Sequence, residues 1–278
     1  MTPNATPEYV LAFDCGGTKT LMGLASPHDG ALVATARLET RDYPDAAALV
    51  AAALAQASAW RQGHRIVAVG AATMGVEGGD GRVELAPNFP GWTEAPLTRA
   101  SLEAAFPGVP VKVANDVKAA CLAEMRWGRL SGAQYGAYLN LGTGVALAFG
   151  HGGRVWQGAH QMAGEVAYAW EPGELGLRSG HAPLEKYFGG PAMAELPAAL
   201  WVERVERLGW WVGQWLLLLD VERLVLGGGW AHRLVPHLPR WHDLWAQYLP
   251  AVPAVELSAW PERAGLLGAV ALAVEASP

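Results

Sequence analysis

Two short glycine-rich turns, each directly after a run of apolar residues, constrain the fold of this chain more than any other feature. The first is Asp14-Cys-Gly-Gly-Thr-Lys19, which follows the apolar run Tyr9–Phe13. The second is Leu141-Gly-Thr-Gly144, which ends the apolar run Tyr135–Leu141. Runs of this length that stop at Gly or Asp are typical of strands joined by tight turns. Each turn is therefore predicted to connect two antiparallel strands.

The elements around the two turns repeat in the same order. After the first turn come two short apolar runs, Leu21–Ala25 and Ala31–Leu38, and then an Ala-rich helix at Ala46–Trp60. After the second turn, the run Val145–Gly150 and a further strand precede a long helix at about Pro197–Leu219. Two units of strand, Gly turn, strand, strand and helix predict a duplicated α/β fold with two lobes.

Composition limits the functions that such a fold can carry. Hydrophobic residues make up 51% of the 278 residues and charged residues 17%, so a sizeable core is expected. The net charge of −6 argues against a nucleic-acid-binding face. The two cysteines form no disulfide framework, the first eight residues lack a signal peptide, and the longest apolar stretches are shorter than the roughly 20 residues that span a bilayer. We expect a cytoplasmic protein without membrane or nucleic-acid partners.

The first turn carries the groups that bind phosphate. It is not a P-loop, because no helix follows and the spacing differs. Gly16 and Gly17 remove side chains, so that backbone N–H groups can approach phosphate oxygens. Thr18 offers a hydroxyl group and Lys19 a charge, and Asp14 can hold Mg²⁺ directly or through water. Taken alone, the segment fits an ordinary Gly hairpin equally well.

The second turn has the same chemistry, and a third glycine segment follows a later strand. Gly142, Thr143 and Gly144 are predicted to bind phosphate from the second lobe. Two such hairpins, one from each lobe and facing a cleft, occur together less often than a single Gly hairpin. The pair therefore favours phosphate binding over a plain hairpin. The segment Gly227-Gly228-Gly229 exposes backbone suited to a flat adenine or to ribose, although alone it is no more than a turn.

A strand-to-helix junction places an acid where open α/β sheets bind ligands. The strand Val111–Ala114 is followed by Asn115 and Asp116, which begin a helix. Asp116 can accept a proton from an attacking hydroxyl group while Asn115 orients that group. The alternative is a plain helix N-cap.

Together these segments resemble the ROK family (repressor, open reading frame, kinase) of sugar kinases and sugar-responsive repressors. The resemblance covers about residues 9–272. The segments that carry it, besides the two Gly turns, are Ala86-Pro-Asn-Phe-Pro-Gly-Trp92, Ala114-Asn-Asp116, Ala163-Gly-Glu165, Leu184-Glu-Lys-Tyr187, Leu226-Gly-Gly-Gly229 and Ala264-Gly-Leu-Leu-Gly268.

The resemblance implies a two-lobed actin-like, ribonuclease H-like ATPase fold that uses ATP and Mg²⁺. It places the N-terminal lobe at residues 1–114, with a C-terminal helix at about 264–278 packing back on it, and the C-terminal lobe at 115–263. It makes Asp116 the general base of a hexose or N-acetylhexosamine kinase. It assigns sugar contacts to Asn88, Asn115, Asp116, Glu165 and Glu185, and it favours a homodimer.

The chain departs from the family pattern at the zinc site. Tyr168 stands where the family has a His that contacts sugar and zinc, and its phenol can still bind a sugar hydroxyl group. Gly176, Arg178 and Pro183 stand at the expected Cys positions, and His181 is a lone histidine in that loop. We therefore expect no structural zinc.

Two other functions remain open at this stage. One is a sugar-sensing relative that binds ligand without transferring phosphate, although the few residues before the first turn leave no room for a helix-turn-helix domain. The other is an ATPase of the same superfamily that drives a partner enzyme. Such ATPases usually carry additional cysteines for an iron–sulfur cluster.

Overall fold

The computed structural model describes residues 7–77, 83–84, 91–93, 96–169 and 182–277, which form two compact units. Unit 1 contains residues 1–123, 159–161 and 265–278, and unit 2 contains residues 124–158 and 162–264. Packing defines these units, and the lobe boundary expected after residue 114 stays a prediction.

Twelve strands occur in the described residues. They are β1 (Glu8–Cys15), β2 (Lys19–Ala25), β3 (Leu32–Glu39), β4 (Arg65–Thr73), β5 (Val76–Glu77), β6 (Val83–Glu84), β7 (Val111–Asn115), β8 (Tyr135–Leu141), β9 (Val145–His151), β10 (Arg154–Val155), β11 (Arg223–Gly227) and β12 (Ala254–Leu257).

Eight α-helices accompany them in the same described residues. They are α1 (Ala46–Gly63), α2 (Arg99–Ala105), α3 (Asp116–Trp127), α4 (Glu185–Phe188), α5 (Gly190–Ala194), α6 (Ala198–Leu219), α7 (Leu238–Trp245) and α8 (Ala264–Ala276). None of these helices combines the length and the hydropathy needed to cross a bilayer.

The two units contain sheets of the same design. The first sheet has the order β3-β2-β1-β4-β7, and the second has the order β10-β9-β8-β11-β12. In each sheet the first three strands along the chain are antiparallel and the last two run parallel to the first. The predicted α/β class is confirmed.

The core of unit 1 forms on the first sheet. Alternating side chains of β1 and β2 pack with helix α1, whose small residues lie against the sheet. The main buried side chains are Leu11, Phe13, Met22, Leu24, Leu49, Trp92 and Leu97. Trp92, which ends the Ala86–Trp92 segment of the family resemblance, is fully buried, and its indole N–H donates to the carbonyl oxygen of Met74 (3.3 Å). Burial and this bond favour a structural role for Trp92.

In unit 2, helix α6 packs against α7 through glycines and tryptophans. The indole N–H groups of Trp241 and Trp245 donate to the carbonyl oxygens of Val205 (3.0 Å) and Gly209 (2.8 Å). A Cβ atom at Gly209 would lie 2.4 Å from Nε1 of Trp241, so the glycine allows this close approach. Both tryptophans are fully buried, as expected of apolar side chains that fill a core.

Several elements differ from the sequence-based expectation. The Gly, Pro and Asn content of residues 75–98 predicts loop and turn, yet β5 and β6 form a two-residue antiparallel pair there. The short helices α2, α4, α5 and α7 and strand β12 are not predicted. Each is short, and short elements give a weak periodic signal.

Candidate active site

In unit 1, parallel strands bring two candidate acids to the same edge of the sheet. In the strand register, Asp14 of β1 pairs with Ala72 of β4, and Ala72 pairs with Ala114 of β7. Asp116 follows two residues after Ala114, as the first residue of α3. Because β1, β4 and β7 are parallel, their carboxyl ends share one edge, and open α/β sheets bind ligands at such an edge.

The first Gly turn lies beside these acids and presents its backbone to solvent. The N–H of Gly16 donates to the carbonyl oxygen of Lys19 (3.0 Å), which closes the turn between β1 and β2. The carbonyl oxygen of Thr18 accepts a bond from the N–H of Thr40 (3.0 Å). The side chain of Thr18 is exposed, and Gly16, Gly17 and Lys19 are partly exposed. The hydrogen bond from Thr40 therefore stabilises one side of the turn, and the exposed atoms of the turn are accessible to an anion from solvent.

The N-terminus of helix α8 also approaches Asp14. The Asp14 carboxylate accepts a bond from the backbone N–H of Leu266, and a Cβ atom at Gly265 would lie 2.5 Å from Oδ1 of Asp14. A Cβ atom at Gly268 would lie 2.1 Å from the carbonyl oxygen of Ala119 in α3. The two glycines therefore allow α8 to pack directly against Asp14 and α3.

The family resemblance places a C-terminal helix at about 264–278 against the N-terminal lobe, but it does not connect the Ala264-Gly-Leu-Leu-Gly268 segment with Asp14. Two glycines one turn apart on a helix were the signal, because they predict close backbone contact on one face.

Burial raises the pKa values of both acids. The pKa of Asp14 rises to about 7, chiefly through desolvation and then through the negative charge of Asp116, and Lys19 opposes the rise. The pKa of Asp116 rises to about 6 through desolvation, opposed by the backbone N–H of Val117. That N–H donates to Oδ1 of Asp116 (2.9 Å). Such shifts indicate a functional site because two buried carboxylates are costly when both are ionised.

Asn115 holds the start of α3 with its side chain. Its Oδ1 accepts bonds from the N–H groups of Val117 (3.0 Å) and Lys118 (3.4 Å), as a helix cap does. Its Nδ2 donates to the carbonyl oxygen of Gly75 (3.1 Å). These bonds use one of the two amide hydrogens, and the contact of Asn115 with sugar stays a prediction.

In unit 2, the second Gly turn and the triple-glycine segment lie side by side. Strands β8 and β11 are parallel neighbours, and Gly227 pairs in register with Asn140. Gly228 has φ +89°, and a Cβ atom there would lie 2.6 Å from the nitrogen of Gly142. The glycine therefore allows direct backbone packing between the two predicted nucleotide-binding segments. Thr143 and Gly229 are exposed beside this contact.

Glu185 packs against the second Gly turn. A Cβ atom at Gly144 would lie 2.4 Å from Oε2 of Glu185, and the N–H of Val145 donates to the same oxygen (3.4 Å). The N–H of Gly190 donates to the carbonyl oxygen of Gly142 (2.8 Å). Helix α4 and the start of α5 thus support the turn, with Glu185 directly beside it.

Glu165, Tyr168 and Glu185 form one cluster in unit 2. The pKa of Tyr168 is raised by desolvation and then by the negative charges of Glu165 and Glu185. Burial likewise raises the pKa of Glu185, against the bond from Val145. All three side chains are partly buried, so they offer two acceptors and a phenol that can bind hydroxyl groups.

Gly164 sets the position of this cluster. It has φ +86°, and a Cβ atom there would lie 1.6 Å from the carbonyl oxygen of Leu147 in β9. The N–H of Leu147 donates to the carbonyl oxygen of Gly164 (2.8 Å). The Ala163-Gly-Glu165 segment is therefore attached to the sheet by a position that only glycine fits.

The chemistry of Asp14 is compatible with the predicted nucleotide-bound magnesium ion. Mg²⁺ that arrives with a nucleotide uses one or two carboxylates together with phosphate oxygens, and Asp14 is a carboxylate near the end of β1, where the first Gly turn begins. Its role as a Mg²⁺ ligand stays a prediction. Clusters of three or more His, Cys, Asp or Glu side chains do not occur among the described residues. Asn88, Gly176, Arg178 and His181 lie outside the described residues, and the expected lack of zinc stays a prediction.

Comparison with known proteins identifies the family of this chain. The model of the ROK family matches residues 10–196. A glucokinase from Streptomyces coelicolor is 32% identical over 159 residues, which are 57% of this chain and 48% of the glucokinase. The chain thus spans about half the length of the curated relatives it matches.

Solved structures match over nearly the whole chain. The ROK hexokinase from Thermus thermophilus superposes with a TM-score of 0.77 at 28% identity, over 95% of this chain and 97% of the hexokinase. A ROK family glucokinase from Streptomyces griseus, solved with glucose and AMPPNP, gives a TM-score of 0.78 at 22% identity, over 96% of this chain and 99% of that one. The predicted actin-like ATPase fold is confirmed.

Proposed function

The chain belongs to the ROK family, and from that premise we propose that it transfers the γ-phosphoryl group of ATP to a hydroxyl group of a hexose or N-acetylhexosamine. The observation that carries this proposal is Asp116. It is a partly buried carboxylate at the end of a parallel strand, with a pKa of about 6. A general base works best when its pKa lies near the operating pH.

Asp116 is the proposed catalytic base. Its carboxylate accepts the proton of the sugar hydroxyl group as the oxygen attacks phosphorus. The bond from the N–H of Val117 fixes the carboxylate at the start of α3, so little reorganisation is needed when the proton moves. Phosphoryl transfer needs little more than this positioning together with neutralisation of charge.

The two Gly turns are the proposed phosphate-binding segments. Gly17 and Gly144 are proposed to donate backbone N–H groups, with the Thr18 and Thr143 hydroxyl groups and the Lys19 charge. The N–H groups of Gly16 and Gly142 donate within the turns to the carbonyl oxygens of Lys19 (3.0 Å) and Gly144 (3.1 Å), so these two glycines are proposed to act by leaving room for the phosphates. Gly227, Gly228 and Gly229 are proposed to receive the nucleoside. Mg²⁺, when it is bound, neutralises charge on the phosphates. Asp14 is its proposed protein ligand, and the N–H of Leu266 holds that carboxylate in place.

The proposed acceptor site includes the cluster of Glu165, Tyr168 and Glu185. Carboxylates accept hydroxyl protons in defined directions, and the Tyr168 phenol both donates and accepts. The charges of Glu165 and Glu185 both act on the Tyr168 phenol, which supports placing the three side chains in one ligand site. Asn88 and Asn115 stay predicted contacts. A cytoplasmic location also stays a prediction.

One observation favours a second candidate, a sugar-binding sensor that does not transfer phosphate. Tyr168 stands at the position of a family histidine, which changes the chemistry of the acceptor cluster. The Gly turns and the two acids of unit 1 favour the kinase, since a protein that binds sugar alone does not need this set of phosphate-binding groups.

A panel of sugars separates the two functions. ADP release is measured with ATP, Mg²⁺ and each of glucose, N-acetylglucosamine, N-acetylmannosamine and fructose, and without sugar. The kinase releases ADP with at least one sugar, and Asp116→Asn lowers kcat about a hundredfold or more while ATP still binds. Sugar binding by calorimetry without ADP release would instead identify a sensor.

A further inference from the structure

A strained backbone position lies in the loop before Glu165. Among the described residues, two that are not glycine have a φ in the left-handed region, Asp220 at +47° and Gln161 at +61°. Asp220 ends helix α6, where a left-handed residue is a common helix cap. Gln161 lies outside the helices, so its conformation needs another cause. Such a conformation persists only where the surrounding structure holds it, and it is often found at functional sites.

Residues 158–162, called the Gln161 loop below, form a loop that is closed at its base. The N–H of Ala163 donates to the carbonyl oxygen of Gln157 (3.2 Å). Gly158 has φ +76°, and a Cβ atom there would lie 3.1 Å from the Cβ atom of Ala163. The two ends of the loop are therefore in close contact, and the strained residue lies between them.

The Gln161 loop leads directly to one of the proposed sugar ligands. The N–H of Glu165 donates to the carbonyl oxygen of Met162, the last residue of the loop (3.2 Å). Between them, Gly164 is attached to β9 through the N–H of Leu147. The backbone of Glu165 is thus fixed by the sheet and by the end of the loop, so a change in the loop would move this carboxylate.

Lys118 of helix α3 holds the carbonyl group of Gln161. Its ammonium group donates to that carbonyl oxygen, and the bond lies within unit 1, which includes residues 159–161. Lys118 is only 3% exposed, although lysine is almost never buried unless it is paired. A buried ammonium group needs acceptors, and a bond from a charged donor is stronger than one from a neutral donor. This bond can therefore hold the strained residue in place.

We propose that Lys118 is a positioning residue that holds Gln161 in its left-handed conformation and so fixes the place of Glu165 as a sugar ligand. This inference rests on the proposed function, which makes Glu165 a ligand of the acceptor. Lys118 acts through the loop and not on the reacting atoms. Its backbone N–H also bonds to Oδ1 of Asn115 (3.4 Å), so one residue contacts both the Gln161 loop and the start of α3, where Asp116 lies.

Hydrogen exchange tests the anchor without any ligand. Lys118→Met keeps an apolar stem and removes the donor. Amide exchange in peptides that cover residues 158–165 of the full chain, read by mass spectrometry, should become about tenfold faster or more. Lys112→Met is the matched control, because the Lys112 side chain is 41% exposed on β7 of the same unit and pairs with Glu275. Exchange at the wild-type rate in Lys118→Met would overturn the proposal.

A glycine substitution separates positioning from general destabilisation. Glycine adopts a positive φ without steric cost, so Gln161→Gly should restore what Lys118→Met loses. Calorimetry with glucose, N-acetylglucosamine, N-acetylmannosamine and fructose should show a Kd about tenfold weaker in Lys118→Met for the sugar that binds, and a Kd near the wild-type value in the double variant. The Kd for ATP should stay the same in all variants. A loss of sugar binding that Gln161→Gly does not restore, or an equal loss of ATP binding, would reject the proposal.

A second variant keeps the test independent of how well a substitution at buried Lys118 folds. Gln161→Val leaves the lysine in place, but a β-branched side chain is poorly accommodated at this φ. It should accelerate exchange in the Gln161 loop and weaken sugar binding, while circular dichroism stays unchanged. Wild-type exchange and sugar affinity in Gln161→Val would contradict the proposal. If the wild-type chain binds none of the four sugars, the proposed function is wrong, and the exchange experiment still decides whether Lys118 holds the loop.

Discussion

At Asp116, burial and hydrogen bonding act on the pKa in opposite directions, and burial is the stronger effect. Desolvation raises the pKa from 3.8 to about 6, although the N–H of Val117 stabilises the carboxylate. A helix start normally favours a negative charge, so an acid that keeps a raised pKa there is costly. Such a cost is expected where the group must exchange a proton near neutral pH.

The pH dependence of kcat/KM should report this shift. Asp116 must be ionised to accept a proton, so kcat/KM should fall as the pH falls. Because Asp14 and Asp116 interact, their protons leave in coupled steps, and the acid limb should lie at about pH 6–7 rather than near the value of about 4 for an ordinary aspartate. Circular dichroism at each pH serves as the control for folding. An acid limb entirely below pH 5 would contradict the proposed environment of Asp116.

Asp14 should limit the stability of the ligand-free protein. Its pKa is raised to about 7 on folding, so the native state binds more protons than the unfolded state between about pH 4 and 7. The contribution of Asp14 to the free energy of unfolding is fully present below about pH 4, and it is lost as the pH rises from there through about 7. Asp14→Asn should therefore raise Tm at pH 8 and change it little at pH 4, as measured by calorimetry. If Asp14→Asn has a lower Tm than the wild type at pH 8, the ionised carboxylate stabilises the fold and this prediction is wrong.

At the scale of elements, several glycines mark places where a side chain or helix approaches the backbone. The missing side chain at Gly144 leaves room for the Glu185 carboxylate, and that at Gly265 leaves room for the Asp14 carboxylate. The missing side chain at Gly228 leaves room for the backbone of the second Gly turn. The sequence predicts open backbone for phosphate at Gly144 and for adenine or ribose at Gly228. It could not predict which side chain fills the space beside them, because that contact joins residues far apart in the chain.

Gly144→Ala should impair the acceptor cluster through Glu185. The new methyl group would lie 2.4 Å from Oε2 of Glu185, so the carboxylate must move. We expect kcat/KM for the sugar to fall about tenfold or more, consistent with the cost of misplacing a substrate-positioning group. Gly63→Ala is the control, because a Cβ atom there meets nothing within 4 Å and alanine favours the helix. If Gly144→Ala leaves kcat/KM for the sugar unchanged, Glu185 does not position the sugar for the reaction.

At the scale of the whole molecule, the repeated order of elements along the chain and the Gly turns were predictable, and long-range contacts were not. The repeated order of strand, turn, strand, strand and helix predicted two similar units, and both sheets have equivalent strand orders. The strand-to-helix position of Asp116 was also predictable from the apolar run before it. The support of Asp14 by α8 depends on residues about 250 positions apart, and local periodicity carries no information about such pairs.

The fate of the γ-phosphoryl group tests the central claim most directly. Wild-type protein and Asp116→Asn would be incubated with ATP carrying ¹⁸O in the γ-phosphoryl group, Mg²⁺ and the preferred hexose, and the products would be read by mass. The kinase should deliver the labelled phosphoryl group to the sugar, and Asp116→Asn should leave it on ATP. Label that appears in inorganic phosphate at the same rate with and without sugar, or sugar phosphate formed equally well by Asp116→Asn, would contradict the account.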